Sequence, residues 1–316
     1  MARILITGAH GFIGRYLARH LSENGHVVLG LGHGIWPPLH AERWGLTLWQ
    51  NGEIDGPNLR LIQRQAGTPD IVYHLGGGSS VGVAIANPRE DFHRTVNSTA
   101  ELLEWLRLEA PDCRLVAISS AAVYGANHEG PIAETTIKNP FSPYGHHKSI
   151  MESLCQSYCD TYGLKIAIAR LFSVYGQGLR KQLLWDVCSQ LERNPDRLNL
   201  GGGGAELRDW IEVADVVRAL SLIEAQADSS LRVVNVGTGT GTNVRSIVEM
   251  VVEAWFEKAS SRPNITFSGE ARKGDPQSLV ADSTQLKSLG FELRSDLKDG
   301  LSAYISWFRS EAGTAR

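Results

Sequence analysis

The chain has 316 residues, 42% hydrophobic and 21% charged, the proportions of an ordinary globular protein with length for one large or two modest domains. A formal net charge of −3 gives no electrostatic reason to bind nucleic acid or an anionic membrane surface. No apolar run is long enough to span a bilayer, and Arg3 leads straight into Ile4-Leu5-Ile6 without a secretory leader, so a cytoplasmic protein is expected.

Arg3 to Thr7 reads as a short buried strand. Gly8, Gly11 and Gly14 follow at once, and Arg15 to Asn24 reads as a helix stopped by Gly25. At such a junction Gly8 allows a tight turn and Gly11 lets the backbone approach a pyrophosphate. Gly14 lets helix and strand pack closely, with the helix N-terminus facing the phosphates. A dinucleotide site is therefore expected. Val27 to Leu31 is the second strand. NAD sites usually carry an acid at its end for the ribose hydroxyls, but here Gly32 and His33 occupy that point. Without a carboxylate a 2′-phosphate is not repelled, and His33 or Arg43 could pair with one. NADP(H) is thus favoured over NAD(H), with NAD(H) open if the acid comes from elsewhere.

Asp70 to Leu75 is a further strand, ending in Gly76-Gly77-Gly78, small residues that let a ribose or phosphate come close. Ser98-Thr99-Ala100-Glu101 has the form of a capping box opening a helix with Leu102, Leu103 and Leu106 on its buried side. Leu115 to Ile118 is the next strand, with Ser119 and Ser120 at its carboxyl end, where ligand groups gather in doubly wound sheets. Tyr144 and Lys148 begin the following helix, in Ser-Pro-Tyr-Gly-His-His-Lys. A phenol of pKa roughly 10 is a poor base at neutral pH. An ammonium one helical turn away favours the phenolate, and Ser120 can hold the other side of a carbonyl or alcohol. The trio can move a proton while another group moves a hydride. Lys165 to Leu171 is another strand, and Asn235-Val-Gly-Thr-Gly restarts a strand-to-helix unit. Cys113, Cys155, Cys159 and Cys188 lack the spacing of a zinc site, so reduced structural thiols and no metal are expected.

In order, Thr-Gly-Ala-His-Gly-Phe-Ile-Gly, His74-Leu75, Ser-Ser-Ala-Ala-Val-Tyr-Gly, Tyr144-x-x-x-Lys148, Arg170-Leu-Phe-Ser-Val-Tyr-Gly and Arg208-Asp-Trp-Ile-Glu-Val-Ala-Asp215 resemble the extended short-chain dehydrogenase/reductase family of nucleotide-sugar epimerases, dehydratases and reductases. The likeness runs from about Ile4 to Trp307. It implies an α/β fold, a Rossmann-type doubly wound parallel sheet with a smaller C-terminal α/β substrate domain. Residues 1–173 plus about 210–241 would bind NAD(P), and about 174–209 plus 242–316 the nucleotide-diphosphate sugar. Tyr144 would be the acid/base, Lys148 would bind the nicotinamide ribose and tune Tyr144, and Ser120 would orient the reacting oxygen. The resemblance places cofactor contacts at Gly8, His10, Gly11, Phe12 and Ile13 on the first turn, at Gly32 and His33, and at Glu53 and Ile54. Leu75, Gly76, Gly77 and Leu171 would complete them beside Tyr144 and Lys148. Substrate contacts fall at Ser79, Ser80, Ser120 and Ser173, with Arg208 and Arg272 on the diphosphate, which the guanidinium fork suits.

Several positions depart from the family pattern. Sugar 4,6-dehydratases place Asp-Glu after the oxygen-orienting residue; here Ala121 and Ala122 stand there, and methyl groups can neither protonate a leaving hydroxyl nor abstract a proton. No cysteine or second base is evidently placed for C3/C5 epimerisation. Two C4 chemistries remain, a one-way NADPH-dependent reduction of a 4-keto-6-deoxy sugar and an NAD-recycling 4-epimerisation. The missing strand-end acid favours the reductase. Thr95 and Ser173 each replace an Asn usual in the family. A catalytically inert NADP-sensing module is the lesser alternative, opposed by the intact trio. A homodimer is expected by analogy, with Ile150 and Leu154 set against Leu103 and Leu106.

Overall fold

In the computed structural model, residues 1–126, 128–256, 262–269 and 276–314 are described. The first half alternates strand and helix. It runs β1 (Arg3–Thr7), α1 (Phe12–Glu23), β2 (Val27–Gly32), α2 (Pro38–Arg43), β3 (Leu48–Asn51), α3 (Gly56–Ala66) and β4 (Ile71–His74). Then come α4 (Val81–Ala86), α5 (Pro88–Phe92), α6 (Ser98–Glu109), β5 (Arg114–Ser120), α7 (Pro143–Tyr162) and β6 (Lys165–Leu171). The second half holds β7 (Ser173–Tyr175), α8 (Gln182–Arg193), β8 (Arg197–Leu200), β9 (Leu207–Glu212), α9 (Val213–Glu224), β10 (Arg232–Val236) and β11 (Gly241–Asn243). It ends with α10 (Val244–Trp255), β12 (Asn264–Phe267), β13 (Ser278–Leu279), α11 (Thr284–Ser288) and α12 (Leu297–Thr314).

Seven parallel strands form one sheet in the order β10-β6-β5-β4-β1-β2-β3. A parallel sheet is covered on both faces, so its strands read as unbroken apolar runs. Alternate side chains then serve opposite layers. Ile4 and Ile6 pack with Leu17 and Leu21 of α1 and Val216 and Leu220 of α9, while Leu5 packs with Leu59 of α3, Leu102 of α6 and Met151 of α7. Gly8 turns at φ +74°, and a Cβ on Gly14 would lie 2.4 Å from the Gly8 carbonyl oxygen, so only glycine lets α1 start this close to β1. The helix begins at Phe12, before the expected Arg15.

After β6 the chain leaves this sheet. β7, β11 and β13 all pair with β9, and β8 pairs with β12. Only α9 and β10 return to the large sheet before the chain commits to α10 and α12, whose Val248, Val251, Tyr304 and Phe308 share a separate core with Val187 and Leu191 of α8. Two acids of the 208–215 motif hold this junction. Buried Asp209 accepts from the backbone of Thr238, Gly239 and Ala281, and Asp215 from Arg294 and Ser295.

The capping box expected at Ser98 does not form. A π-type turn, His93–Asn97, runs directly into α6, so Ser98 lies inside a continuous helical path and its hydroxyl donates to the Arg94 carbonyl at 2.6 Å. Glu101 instead accepts from Gly56 N at the start of α3. The expected dimer face is also corrected: Leu103 and Leu106 are 0% and 1% exposed in the core beneath the sheet, whereas Ile150 is exposed. No helix among the described residues is long and apolar enough to cross a membrane. The four cysteines are free and buried.

Candidate active site

Ser120 ends β5, and its Oγ accepts from Ala122 N at 3.2 Å as the chain turns. Opposite it, Ser142 caps α7, accepting from Gly145 N at 3.2 Å, with Pro143 in the first turn. That cap delivers Tyr144 to the sheet edge, where its phenol hydrogen-bonds with the Ser120 side chain. Lys148, one turn on and 4% exposed, donates from Nζ to the Ile118 carbonyl at 2.8 Å. Burial lowers its pKa to about 8, against the opposing charges of Asp91 and Glu152. The sequence leads one to expect a Tyr144 phenol pulled down by Lys148. Here burial pushes it up, the Ser120 hydrogen bond opposing and Asp91 adding to the rise. The trio thus rests with a protonated phenol.

Beneath the trio lies a buried polar network that the sequence reading did not assign. Arg170 of β6 forks onto Glu152 of α7, Nε to Oε1 at 2.9 Å and Nη2 to Oε2 at 2.7 Å. Glu152 also accepts from Ser119 Oγ at 2.6 Å and Lys138 Nζ at 3.1 Å. Arg170 Nη1 reaches the Tyr124 hydroxyl at 2.9 Å, which donates to Asn235 of β10 at 2.7 Å. Burial raises the Glu152 carboxyl, but the hydrogen bond and charge of Arg170, with Ser119 and Lys138, outweigh it and hold the group below its ordinary value. The available signal was position: Glu152 stands four residues after Lys148 on one helix.

A second network fixes the loop after β4. His74 is fully buried between Thr7 Oγ1 at 2.7 Å and Thr99 Oγ1 at 3.0 Å, and burial with the Lys148 charge holds it down to about 3, hence neutral. Thr7 Oγ1 accepts from Gly76 N, and Thr95 Oγ1 from Gly78 N. Thr95, at the family's Asn position, therefore ties down the loop. Asp91 of α5 accepts from His147 at 2.5 Å beside the same loop.

Ser120, Tyr144 and Lys148 border one cleft of about 710 Å³, within the range of small-molecule sites. Gly8, Gly11, Phe12, Ile13, Gly32, His33, Glu53, Ile54, Leu75, Gly76, Gly77 and Leu171 all line it with the trio. The cradle suits a dinucleotide. Gly77 turns at φ +147°, where a side chain is strained, and its Cβ position lies 3.2 Å from Lys148 Nζ, so glycine keeps the loop close to the ammonium. His10 is the exception among the expected contacts. It does not line the cleft; its ring packs edge-on against Trp36 at 5.0 Å, filling space beside Gly34. Arg43, one proposed partner for a 2′-phosphate, lies at the end of α2 and also off the cleft. His33 lines it, 3.1 Å from Glu53.

On the second-half side, Ser79, Ser80, Ser173 and Arg208 line the same cleft. Arg208 Nη1 donates to the carbonyls of Leu207 and Pro276. Arg272 lies outside the described residues. Two further lining residues were given no site role from the sequence, although Trp210 lies within the Arg208–Asp215 motif. Half-buried Lys181, before α8, reaches across to the Ser79 carbonyl at 3.0 Å, and burial lowers its pKa. Trp210 presents a buried indole N–H with no hydrogen-bond acceptor among the described residues, a donor suited to a ligand.

The comparisons agree with this architecture. Over 98% of this chain and 99% of theirs, it is 31% identical to MoeE5 solved with UDP-glucuronic acid and NAD (TM-score 0.84) and 28% identical to a Thermotoga maritima UDP-glucose 4-epimerase solved with UDP-glucose (TM-score 0.85). A putative UDP-glucose 4-epimerase of Methanocaldococcus jannaschii is 28% identical over 98% of this chain and all of its own. Residues 4–237 match the family profile described as NAD dependent epimerase/dehydratase, and with the strand order, the glycine cradle and the Ser120–Tyr144–Lys148 floor on one cleft, the chain belongs to that family.

Proposed function

We propose that this protein is an NAD-dependent 4-epimerase of UDP-sugars. The observation that carries the reading is the wall around Ser120 and Tyr144: the trio sits on one cleft, and the next two residues, Ala121 and Ala122, line it with methyl groups. Such a wall supports oxidation and reduction at C4 and offers no acid for eliminating water. The 4-keto reduction favoured by the sequence loses its ground. It rested on the missing strand-end acid, yet Glu53 brings a carboxylate to the cleft 3.1 Å from His33, and Arg43 is not among the lining residues. Similar proteins are named as UDP-sugar 4-epimerases or were solved with NAD and a UDP-sugar, which supports NAD and the epimerase.

In this reading the Gly8–Ile13 turn, Leu75 to Gly77 and Lys148 would hold oxidised NAD, which would supply the hydride acceptor and donor for C4 and a positive ring charge that with Lys148 favours the Tyr144 phenolate. Ser120 Oγ and Tyr144 Oη hold the C4 oxygen between them. Tyr144 takes the hydroxyl proton as the C4–H bond breaks, and Lys148 stabilises the phenolate. After the 4-keto sugar has presented its other face, Tyr144 returns the proton, so no proton or electron is lost overall. Lys181, Arg208 and the Trp210 N–H supply donors for the nucleotide-diphosphate portion.

Incubation with UDP-glucose or UDP-glucuronic acid, followed by NMR of the sugar C4 proton, tests this. Formation of the C4 epimer without net change in dinucleotide is expected. Stoichiometric NADPH consumption with a 4-keto nucleotide sugar, and no interconversion, would overturn it.

A further inference from the structure

Asp91 of α5 is a buried carboxylate, 4% exposed, that touches two parts of the site without lining the cleft itself. On one side its Oδ2 accepts from His147 Nδ1 at 2.5 Å, and His147 stands one residue before Lys148 on α7. On the other side its Oδ1 fills the space beside Gly78, where a Cβ would lie 1.7 Å from that oxygen. Gly78 N is held by Thr95 Oγ1 at 2.8 Å, and a Cβ on the preceding Gly77 would lie 3.2 Å from Lys148 Nζ. The carboxylate is thus wedged between the helix that carries Lys148 and the loop that approaches the ammonium. The other titratable groups nearby do not take its place. Glu152 is engaged by both arms of the Arg170 fork, Cys155 is pushed up to about 12 by burial and stays a thiol, and His74 is neutral. Around Asp91, Glu90 and Arg94 pair with each other at 2.6 Å, His93 hydrogen-bonds with Asn97, and Arg89 and His146 are exposed. The helix α4, packed on α5 and α7, carries no titratable side chain.

We infer that Asp91, steadied by His147, is a positioning residue for Lys148: its carboxylate sets the Gly76–Gly78 loop against the ammonium and supplies that ammonium with a counter-charge. This rests on the reading above, in which Lys148 must be charged to stabilise the Tyr144 phenolate. Burial lowers Lys148 to about 8, and the Asp91 charge stands first among those opposing the fall. The ammonium is therefore present below about 8 and lost as pH rises through that value. Tyr144 is raised by burial, and Asp91 adds to that rise. Removing the one negative charge lowers both groups, so the working range of the pair moves toward acid as a unit. His147 contributes the hydrogen bond that a buried carboxylate requires.

The test is a pH titration of Lys148 by NMR in protein carrying isotopically labelled lysine, with the signal assigned through Lys148→Arg, alongside turnover of UDP-glucose across the same pH range. Asp91→Asn lowers the Lys148 midpoint by about half a unit or more, and the alkaline limb of turnover moves down with it. Asp91→Ser removes the same charge and replaces Asp91→Asn if the larger side chain prevents folding. His147→Ala, which loosens the loop, weakens NAD binding about tenfold, and His147→Gln, which keeps a donor, recovers most of that loss. The inference falls if the folded Asp91 variants keep a Lys148 midpoint within about 0.2 units of wild type, or lose turnover equally at every pH, as a purely structural carboxylate would. It falls equally if His147→Ala leaves NAD affinity within about twofold of wild type. A protein that does not interconvert UDP-sugars, but whose Lys148 midpoint drops in Asp91→Asn, would overturn the proposed function and leave this inference standing.

Discussion

Lys148 and Glu53 line the same cleft under contrasting conditions. Lys148 is 4% exposed, pinned to the Ile118 carbonyl and backed by a network joining α7, β5, β6 and β10. Glu53 has a side chain 72% exposed and a single side-chain partner, His33. The floor under Ser120, Tyr144 and Lys148 is therefore held by many buried groups, whereas His33 and Glu53 form a two-residue pair in water. Burial makes the difference, because a charge removed from solvent must be matched by fixed partners and an exposed one need not be. Lys148 is locked into the fold by many partners, and Glu53 is placed by its own loop and one neighbour.

The sharpest way to break this contrast is at the floor itself. Tyr144→Phe should lower turnover by about 10²–10⁴-fold with nearly unchanged binding of NAD and UDP-sugar, since the phenol acts on the C4 proton. Near-normal turnover would remove Tyr144 from the chemistry. Next comes the support. Glu152→Ala leaves Arg170 buried without its partner and should cost about 3–5 kcal/mol in urea unfolding. The carboxyl of Glu152 is held below its ordinary value in the folded protein. Its contribution is therefore complete above the usual carboxylate range and fades as pH falls through the lowered value. The stability gap between wild type and Glu152→Gln should shrink in acid; a constant gap would show that charge is not what matters there.

Smaller effects lie across the cleft. Lys181→Ala should raise KM by about tenfold with kcat little changed, because Lys181 reaches the cleft from before α8, away from Ser120 and Tyr144. A kcat loss instead would make Lys181 part of the floor. Least of all, Glu101→Ala should cost about 1 kcal/mol by freeing the Gly56 N–H at the start of α3. No measurable change would mean water replaces the carboxylate.

Much of the floor was legible because its residues sit within local signals. Ser120 ends an apolar run, and Ser142-Pro143 announces the helix that carries Tyr144 and Lys148. The glycines after β1 likewise belong to one turn. What failed to read was long-range. Ser98-Thr99-Ala100-Glu101 has the letters of a cap, but a preceding helical turn absorbs it and Glu101 caps a different helix. Arg170 and Glu152 are 18 residues apart in the chain and meet only because β6 lies beside β5 under α7. Lys181 and Trp210 enter the cleft from beyond the large sheet, with no periodicity to mark them.

By itself, then, the sequence determined a parallel sheet, a glycine turn for a dinucleotide and a serine, tyrosine and lysine at the sheet's carboxyl edge. Apolar period, caps and turns act over a few residues and do not depend on what packs against them. Tertiary structure decided the protonation of the trio and the approach of Glu53 to His33. A pKa responds to burial and to charges from every neighbouring element, which is why Lys148 does not pull Tyr144 down in the ligand-free protein. The approach of Glu53 to His33 likewise exists only when β3 lies alongside β2, a strand pairing that no local pattern in the chain encodes.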